Sequence, residues 1–227
     1  MWTVNEFLSI RKSQKTKQNF RCTLVALGSF ARKRNWLTYG EPTAFESSDK
    51  PIVKTAEHSI DTPEVLTSLL QEAEKSAPHL IRWLVIGAFA GVRAAERSRL
   101  MEEDIYLTEG CIILGTRVTK TSRRRVVKIP PNLQEWLSKY AAHPLVPYPD
   151  PSRIYKEIKK LESRAGVTLA KNGLRASAAS YLLLVTENAA STALQLGHSA
   201  QELETVYYQP CLREKALQWF AIKPLDK

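Results

Sequence analysis

Four short segments of the sequence contain residue types that could act together on a phosphate group. An arginine and a glutamate lie in AGVRAAE, a lysine in TKTSRRRVVKIP, a second arginine in NGLRASAASYLL, and a histidine with two adjacent tyrosines in LQLGHSAQELETVYYQP. Arginines offer planar, charge-assisted donors that match phosphate oxygens, and such donors stabilise charge that develops in a transition state. A tyrosine phenol can serve as a covalent nucleophile. The residues are Arg93, Glu96, Lys120, Arg175, His198, Tyr207 and Tyr208.

The order and spacing of these segments resemble the motifs of the tyrosine recombinase, or phage integrase, family. Arg93 and Glu96 fit its first motif, TGxRxxE. Lys120 fits its hairpin lysine, which precedes a basic turn and a strand that ends in proline, here Pro130. Arg175 fits the arginine of HxLRH. The resemblance extends over residues 58–220.

The spacing within the last motif also agrees with that of the family. In the family, LGH is followed by the nucleophilic tyrosine nine residues after the histidine, and Tyr207 lies nine residues after His198. The resemblance implies that Tyr207 attacks a DNA phosphate and forms a 3′-phosphotyrosyl bond. It also implies that Lys120 protonates the departing 5′ oxygen and that Arg93, Arg175 and His198 surround the phosphate. Glu96 would orient Arg93.

The resemblance further implies a site-specific DNA recombinase or integrase that needs no metal and no high-energy cofactor. Its partner would be double-stranded DNA, on which four protomers exchange strands, while the free protein would be a monomer or dimer. A cytoplasmic, DNA-associated enzyme of a bacterial or archaeal cell, phage or mobile element is expected.

Several assignments have rivals within the sequence. Arg117, Arg123 and Lys128 compete with Lys120, and Tyr208 competes with Tyr207. An arginine and a glutamate three residues apart on a helix could also form a purely structural pair, and a histidine after a glycine could cap or pack a helix.

The sequence departs from the family pattern in two places. HxLRH reads NGLRA here, so Asn172 stands where a histidine or lysine is usual, and Asn cannot shuttle a proton near neutral pH. Only about forty-five residues precede the linker described below, where the family usually has a helical domain of roughly a hundred residues, so the chain could be a truncated member. These departures keep open a catalytically decayed DNA-binding protein. A type IB topoisomerase-like enzyme and a basic helical protein unrelated to DNA are further alternatives.

Composition is that of a globular protein with a basic surface. Of the 227 residues, 44% are hydrophobic and 25% are charged. The chain has 33 Lys and Arg and 23 Asp and Glu, which gives a formal net charge of +10. A basic excess is typical of nucleic-acid binding. Three distant cysteines and four scattered histidines predict neither a disulfide framework nor a metal site. Neither a signal peptide nor a membrane span is predicted, and GxxxxGK[ST], GxGxxG, HExxH and GxSxG are absent.

The sequence patterns around these residues predict a mainly α protein with a small antiparallel β-sheet. Apolar residues at three- and four-residue steps predict a helix over residues 16–37. Thr62 and Pro63 predict a helix start, and Pro78 the start of the next. Residues 111–114 and 124–130 predict a hairpin within a small sheet. Further helices are predicted at residues 132–141, 152–165 and 173–195, and the C-terminal helix is expected either to cover its own core or to dock on a neighbouring protomer.

A turn-rich acidic stretch separates two predicted units. Residues 1–45 would form part of a helical DNA-binding region, 46–60 a linker, and 61–227 the catalytic domain. Two basic surfaces, at residues 11–34 and 117–128, are expected to hold DNA phosphates without reading sequence. The proposed contacts are Lys15, Lys17, Arg21, Arg117, Arg123, Arg124 and Arg125.

Overall fold

The computed structural model of the protein describes residues 3–53, 59–119, 124–145, 151–203 and 209–225. The chain divides into two compact units, Met1–Ala56 and Glu57–Lys227. Both are helical, and a three-stranded antiparallel sheet lies in the second, which confirms the predicted fold class.

The first unit contains two helices, α1 (Val4–Ser9) and α2 (Gln14–Lys33). Thr3 and Glu6 form a capping box at the start of α1, and the Ser13 hydroxyl caps α2. The predicted helix over residues 16–37 ends earlier than expected, because Arg34 is the C-cap and Asn35 has a left-handed backbone with φ 58°. Phe20, Leu27 and Phe30, expected to line its apolar face, are exposed.

Part of the predicted linker packs on α2. Arg32 forms an ion pair with Glu46, and Arg21 donates to the carbonyl oxygens of Glu46 (2.9 Å) and Ser48 (3.2 Å). Glu46 also accepts from the backbone N–H of Thr43 at 2.7 Å. Residues 43–48 therefore belong to the first unit.

The second unit is built from nine helices and three strands in the described ranges. The helices are α3 (Pro63–Ser76), α4 (Pro78–Ala90), α5 (Ala94–Arg97), α6 (Pro131–Lys139), α7 (Pro151–Ala165), α8 (Gly173–Thr186), α9 (Ala189–Leu196), α10 (Ala200–Glu202) and α11 (Arg213–Phe220). The strands are β1 (Ile105–Tyr106), β2 (Cys111–Leu114) and β3 (Arg125–Lys128).

Helix α4 runs through the core, and from Leu80 onward every residue of it is buried. Its predicted neighbour α3 begins as expected, with Pro63 at the first helical position and the Thr62 hydroxyl accepting from Val65. Helix α8 packs on α4 and on α11. None of the helices in the described part of the chain is both long and apolar enough to cross a bilayer.

The predicted hairpin is confirmed as β2 and β3, and β1 adds to its edge in the order β1-β2-β3. Ile112, Leu114 and Val127 face the core, while Ile113 and Val126 alternate outward and are exposed. Arg125 opposes Leu114 in the register. It shares the face of Val127, because residues two apart on a strand point to the same side.

The single helix predicted over residues 173–195 is wrong. Two helices, α8 and α9, are separated at Glu187, whose backbone is left-handed with φ 51°. Asn188 starts the second helix, because its side chain accepts from the backbone N–H of Ser191 at 2.8 Å. The polar Thr-Glu-Asn sequence supplied both a stop and a new cap.

Helix α11 covers the core of its own chain. Trp219 is fully buried, donates from Nε1 to the Ala88 carbonyl at 2.9 Å and lies 5.0 Å from the ring of Tyr181. The structure describes one chain, so docking of this segment on a neighbouring protomer stays a prediction.

Asp61, near the start of the second unit, is bound to α8. Its backbone N–H donates to the Ser177 hydroxyl (2.7 Å), and its carbonyl accepts from the Tyr181 hydroxyl (3.1 Å). Its buried carboxylate accepts from the Ala170 N–H at 2.8 Å. Burial raises the pKa of Asp61 to about 6, although that hydrogen bond lowers it in part and the Glu162 charge raises it further.

Asp61→Asn is expected to change how stability depends on pH. With a folded pKa above the unfolded one, Asp61 binds its proton more tightly in the folded state, so its contribution is present at low pH and lost as pH rises through about 6. The free energy of unfolding of the variant relative to the wild type should therefore increase by about 2 kcal/mol between about pH 4.5 and pH 8. Denaturant titrations measure this, with surface Glu109→Gln as control; a pH-independent difference would contradict it.

Candidate active site

Arg93 lies where α4 passes into α5, at a turn that depends on glycine. Gly91 ends α4 with φ 64°, and a Cβ there would lie 2.3 Å from a methyl carbon of Leu196. Arg93 is the N-cap of α5 and donates to the Glu96 carboxylate (3.2 Å) and to the Gly197 carbonyl (3.0 Å). Its side chain is 34% exposed, so the guanidinium is fixed yet accessible.

Glu96 is the buried centre of a cluster that joins α5 to the sheet. Its side chain is 2% exposed and receives two hydrogen bonds from the Arg125 guanidinium, at 2.6 and 3.0 Å. Burial alone would raise the pKa of Glu96, but Arg125 and then Arg93 lower it below its usual range. Glu96 is thus a carboxylate held by two arginines, of which Arg125 makes the shorter contacts.

This placement does not agree with the prediction that Arg125 contacts DNA phosphates. Its side chain is nearly buried, and its Nε donates to the Gln195 carbonyl at 3.1 Å while both terminal nitrogens hold Glu96. The run of three arginines did not reveal which one points inward. The signal that identifies Arg125 as the inward-pointing arginine is its spacing of two residues from Val127, which is buried.

Arg175 lies on the first turn of α8 and is 5% exposed. Its guanidinium donates to the carbonyls of Gly91 and of Leu196, the latter at 2.7 Å, and its Nη2 lies 2.5 Å from Nε2 of His198. A guanidinium can only donate, so Nε2 accepts and His198 is neutral in this arrangement. Arg93 and Arg175 therefore meet at the turn that contains Gly197 and His198.

The electrostatics of the site act on His198. Burial and the positive charges of Arg175, Arg93 and Arg125 lower the pKa of His198 to about 3, against a smaller opposing effect of Glu96. The imidazole is consequently uncharged at neutral pH in the free protein.

A cleft of about 690 Å³ opens beside these residues, and both Arg93 and Arg175 line it. Asn172 lies on its wall, as the N-cap of α8 with a left-handed backbone (φ 57°), and its side chain makes no capping hydrogen bond. Asn172, which replaces the family's usual histidine or lysine, therefore lies at the cleft.

Lys120, Arg123 and Tyr207 lie outside the described residues, as does the rival Tyr208. The chain on both sides of the tyrosines contacts the helix that carries Arg175. Leu203 is fully buried in a cluster with Ala179 of α8, and the Gln209 N–H donates to the Ser180 hydroxyl at 3.1 Å.

The remaining predicted DNA contacts differ in exposure. Lys15 and Arg124 are exposed, and Lys17 and Arg21 are half-buried on α2. Arg117 is exposed but binds Asp104 with both donors of Nη2, at 2.7 and 3.0 Å. Their role in DNA binding stays a prediction.

Three solved structures resemble this chain along most of its length. XerA recombinase matches with a TM-score of 0.57 and 18% identity, over 92% of this chain and 76% of that one. XerH site-specific recombinase bound to palindromic difH substrate matches with 0.67 and 23%, over 92% and 66%. A lambda integrase tetramer bound to a Holliday junction matches with 0.64 and 15%, over 86% and 62%.

The chain has the tyrosine recombinase fold. It spans about two thirds of the length of the XerH and lambda integrase chains. No protein-family model and no curated protein matches it. In this recombinase-fold unit, Arg93, Arg175 and His198 come from three separate motifs and meet at one turn.

Glu96→Gln is expected to destabilise the protein by about 3–5 kcal/mol, because it leaves the buried Arg125 guanidinium without its carboxylate. Denaturant unfolding measures this. The control is Glu103→Gln, which removes an exposed partner 3.7 Å from Arg117 and should cost no more than about 1 kcal/mol. Similar losses for the two variants would refute the special role of Glu96.

His198→Gln is expected to make the protein less sensitive to acid. The lowered pKa means that the unfolded state takes up a proton below about pH 6.5 that folded His198 refuses, so stability is lost as pH falls. The free energy of unfolding of the variant relative to the wild type should rise by about 2 kcal/mol between about pH 7.5 and pH 4.5. His143→Gln, away from the site, is the control, and an equal change in both variants would contradict the assignment.

Proposed function

We propose that the protein is a site-specific DNA recombinase that cleaves and rejoins DNA through a 3′-phosphotyrosyl intermediate. The observation that carries the proposal is the meeting of Arg93, Arg175 and His198 at one turn, with both arginines lining a cleft, in a chain with the tyrosine recombinase fold. All three were selected from sequence motifs that lie far apart along the chain.

The two arginines are suited to hold one phosphodiester. Arg93 is accessible and held by Glu96, and Arg175 is held by two backbone carbonyls, so neither guanidinium has to be ordered when DNA binds. Preorganised donors of this kind stabilise the charge on the non-bridging oxygens of a pentacoordinate transition state. When the phosphate binds, it competes for the Arg175 donor that faces His198.

The covalent step uses Tyr207 and Lys120. The phenolic oxygen of Tyr207 attacks the scissile phosphorus, and its proton passes to water. The bond from phosphorus to the 5′ oxygen breaks, and that oxygen keeps the electron pair and takes a proton from Lys120. In the second half, a 5′ hydroxyl attacks the phosphotyrosine, re-forms the diester and releases the phenol.

His198 acts as a neutral hydrogen-bonding group in this scheme. The Arg93 and Arg175 charges that lower its pKa would be offset by a bound phosphate anion, which brings a negative charge to the same turn. Asn172 can donate a hydrogen bond to a phosphate oxygen but cannot relay a proton. The proton transfer then depends on Lys120.

The proposed partner is double-stranded DNA, with four protomers exchanging strands between two duplexes. The support is that the fold recurs in XerH bound to difH substrate and in a lambda integrase tetramer bound to a Holliday junction. Lys15, Lys17, Arg21, Arg117, Arg123 and Arg124 are the proposed phosphate contacts. We propose a cytoplasmic, DNA-associated enzyme of a bacterial or archaeal cell, a phage or a mobile element.

Covalent trapping tests the proposal. The protein is incubated with nicked duplexes drawn from the DNA that flanks its own coding sequence, and denaturing gels detect a protein–DNA adduct. We expect an adduct with the wild type and with Tyr208→Phe, and none with Tyr207→Phe. Loss in Tyr208→Phe alone would move the nucleophile by one residue.

Asn172 supports a second candidate, a catalytically decayed DNA-binding protein of the same fold. It predicts tight, salt-sensitive binding to duplexes and no adduct on any of them. Relaxation of supercoiled plasmid without recombinant products would instead indicate a topoisomerase-like enzyme.

A further inference from the structure

Besides Arg125, which holds Glu96, the buried arginines of the described ranges include Arg82, Arg97 and Arg175, and their surroundings differ. Arg82 binds the Glu102 carboxylate through two hydrogen bonds, at 2.6 and 2.8 Å. Arg175 is the proposed phosphate ligand. Arg97, at the end of α5, forms an ion pair with none of the described carboxylates. It is not used by the mechanism above.

Arg97 is held in place without a counterion. Its guanidinium lies 3.5 Å above the centre of the Trp83 ring, and Nη1 donates to the Trp83 carbonyl at 2.7 Å. Nε is shielded from solvent and has no hydrogen-bond partner, and Nη2 donates to none of the residues that the structure describes. Gly87 makes room for it, because a Cβ at that position would lie 2.0 Å from Nη1.

Burying a cation in this way is costly. Burial lowers the pKa of Arg97 to about 9, and the nearby charge of Arg175 lowers it further, while the Tyr155 phenol and the charge of Glu96 raise it in part. Isolated buried charges are paired or bind an ion, because removing them from water is otherwise unfavourable by several kcal/mol. An uncharged side chain such as leucine or methionine would not carry this cost of burial.

The guanidinium lines the same cleft as the phosphate-binding arginines. Arg97, Trp83 and Tyr155 line it together with Arg93 and Arg175. Its volume of about 690 Å³ is that of a site for a small ligand or a ligand group. An anion bound at Arg97 would reduce the repulsion between two buried cations and supply the missing acceptors.

We infer that Arg97 forms a second anion site in this cleft, which binds a phosphate group. The group is either a backbone phosphate of bound DNA, in which case the inference rests on the proposed function, or a free phosphate or phosphate ester. The guanidinium edge with Nε and Nη2 matches two phosphate oxygens, as a planar fork does. Arg93 and Arg175 remain the ligands of the scissile phosphate.

Thermal unfolding with inorganic phosphate tests the site without DNA. At constant ionic strength, replacing chloride by phosphate is expected to raise the Tm of the wild type. Arg97→Met should bind phosphate about tenfold more weakly, the loss of a charge-assisted hydrogen bond. Arg99→Met is the matched control, because it removes the same charge two residues away on the surface and should behave like the wild type.

Duplex binding as a function of salt tests the DNA source. If a backbone phosphate occupies the site, Arg97→Met should weaken binding about tenfold and lower the slope of log K against log salt by about 0.9, the loss of one phosphate contact. Arg97→Lys keeps the charge but loses the planar fork of donors, so its affinity for the duplex should lie between that of the wild type and that of Arg97→Met. It also serves as the second variant if Arg97→Met does not fold.

The outcomes separate the sources and the two proposals. An Arg97 effect with inorganic phosphate alone assigns a free phosphate or ester, and an effect with duplex alone assigns a DNA phosphate. If Arg97→Met and Arg99→Met behave alike in both tests, the inference is overturned. An Arg97-dependent phosphate effect in a protein that forms no covalent adduct would leave the second site standing and the recombinase proposal refuted.

Discussion

The buried ion pair between Glu96 and Arg125 is the interaction on which the site depends. Glu96 fixes Arg93 through a side-chain and a backbone hydrogen bond, and Arg125 ties β3 to the end of α9 through the Gln195 carbonyl. One carboxylate thereby sets the positions of a short helix, a strand and the turn that carries His198. Its cost in desolvation is offset only because two guanidinium groups satisfy both oxygens.

Helix α8 is the second organising element, and it combines structural and chemical roles on one surface. Its first turn presents Arg175, while Ser177 and Tyr181 bind the main chain at Asp61. Small residues on this helix, such as Ala176, Ala178 and Ala179, are fully buried and allow close packing against its neighbours. A helix so enclosed has little freedom to tilt, which keeps the Arg175 guanidinium against the carbonyls that hold it.

Much of this could be predicted from the sequence, for identifiable reasons. Thr62 with Pro63 indicated the helix start, and two short β-rich runs around a polar turn indicated the hairpin. The meeting of Arg93, Arg175 and His198 was implied by the resemblance to the tyrosine recombinase family. The break at Glu187 was missed because the apolar pattern continues across it, and a local cap at Asn188 outweighed that pattern. The pairing of Glu96 with Arg125 could not be predicted, because the two residues are far apart in sequence and only the fold brings them together. Arg93, three residues from Glu96, already offered a partner at helical spacing.

The hydrogen bonds of Asp61 have a mechanical consequence. Its main-chain N–H and C=O are bound by the Ser177 and Tyr181 side chains, four residues after Glu57, where the second unit begins. A force applied at Asp61 from the N-terminal side would act on α8 through these two hydrogen bonds, the first of which lies two residues from Arg175. The helix that anchors the start of the second unit is therefore also the helix that carries the proposed phosphate ligand.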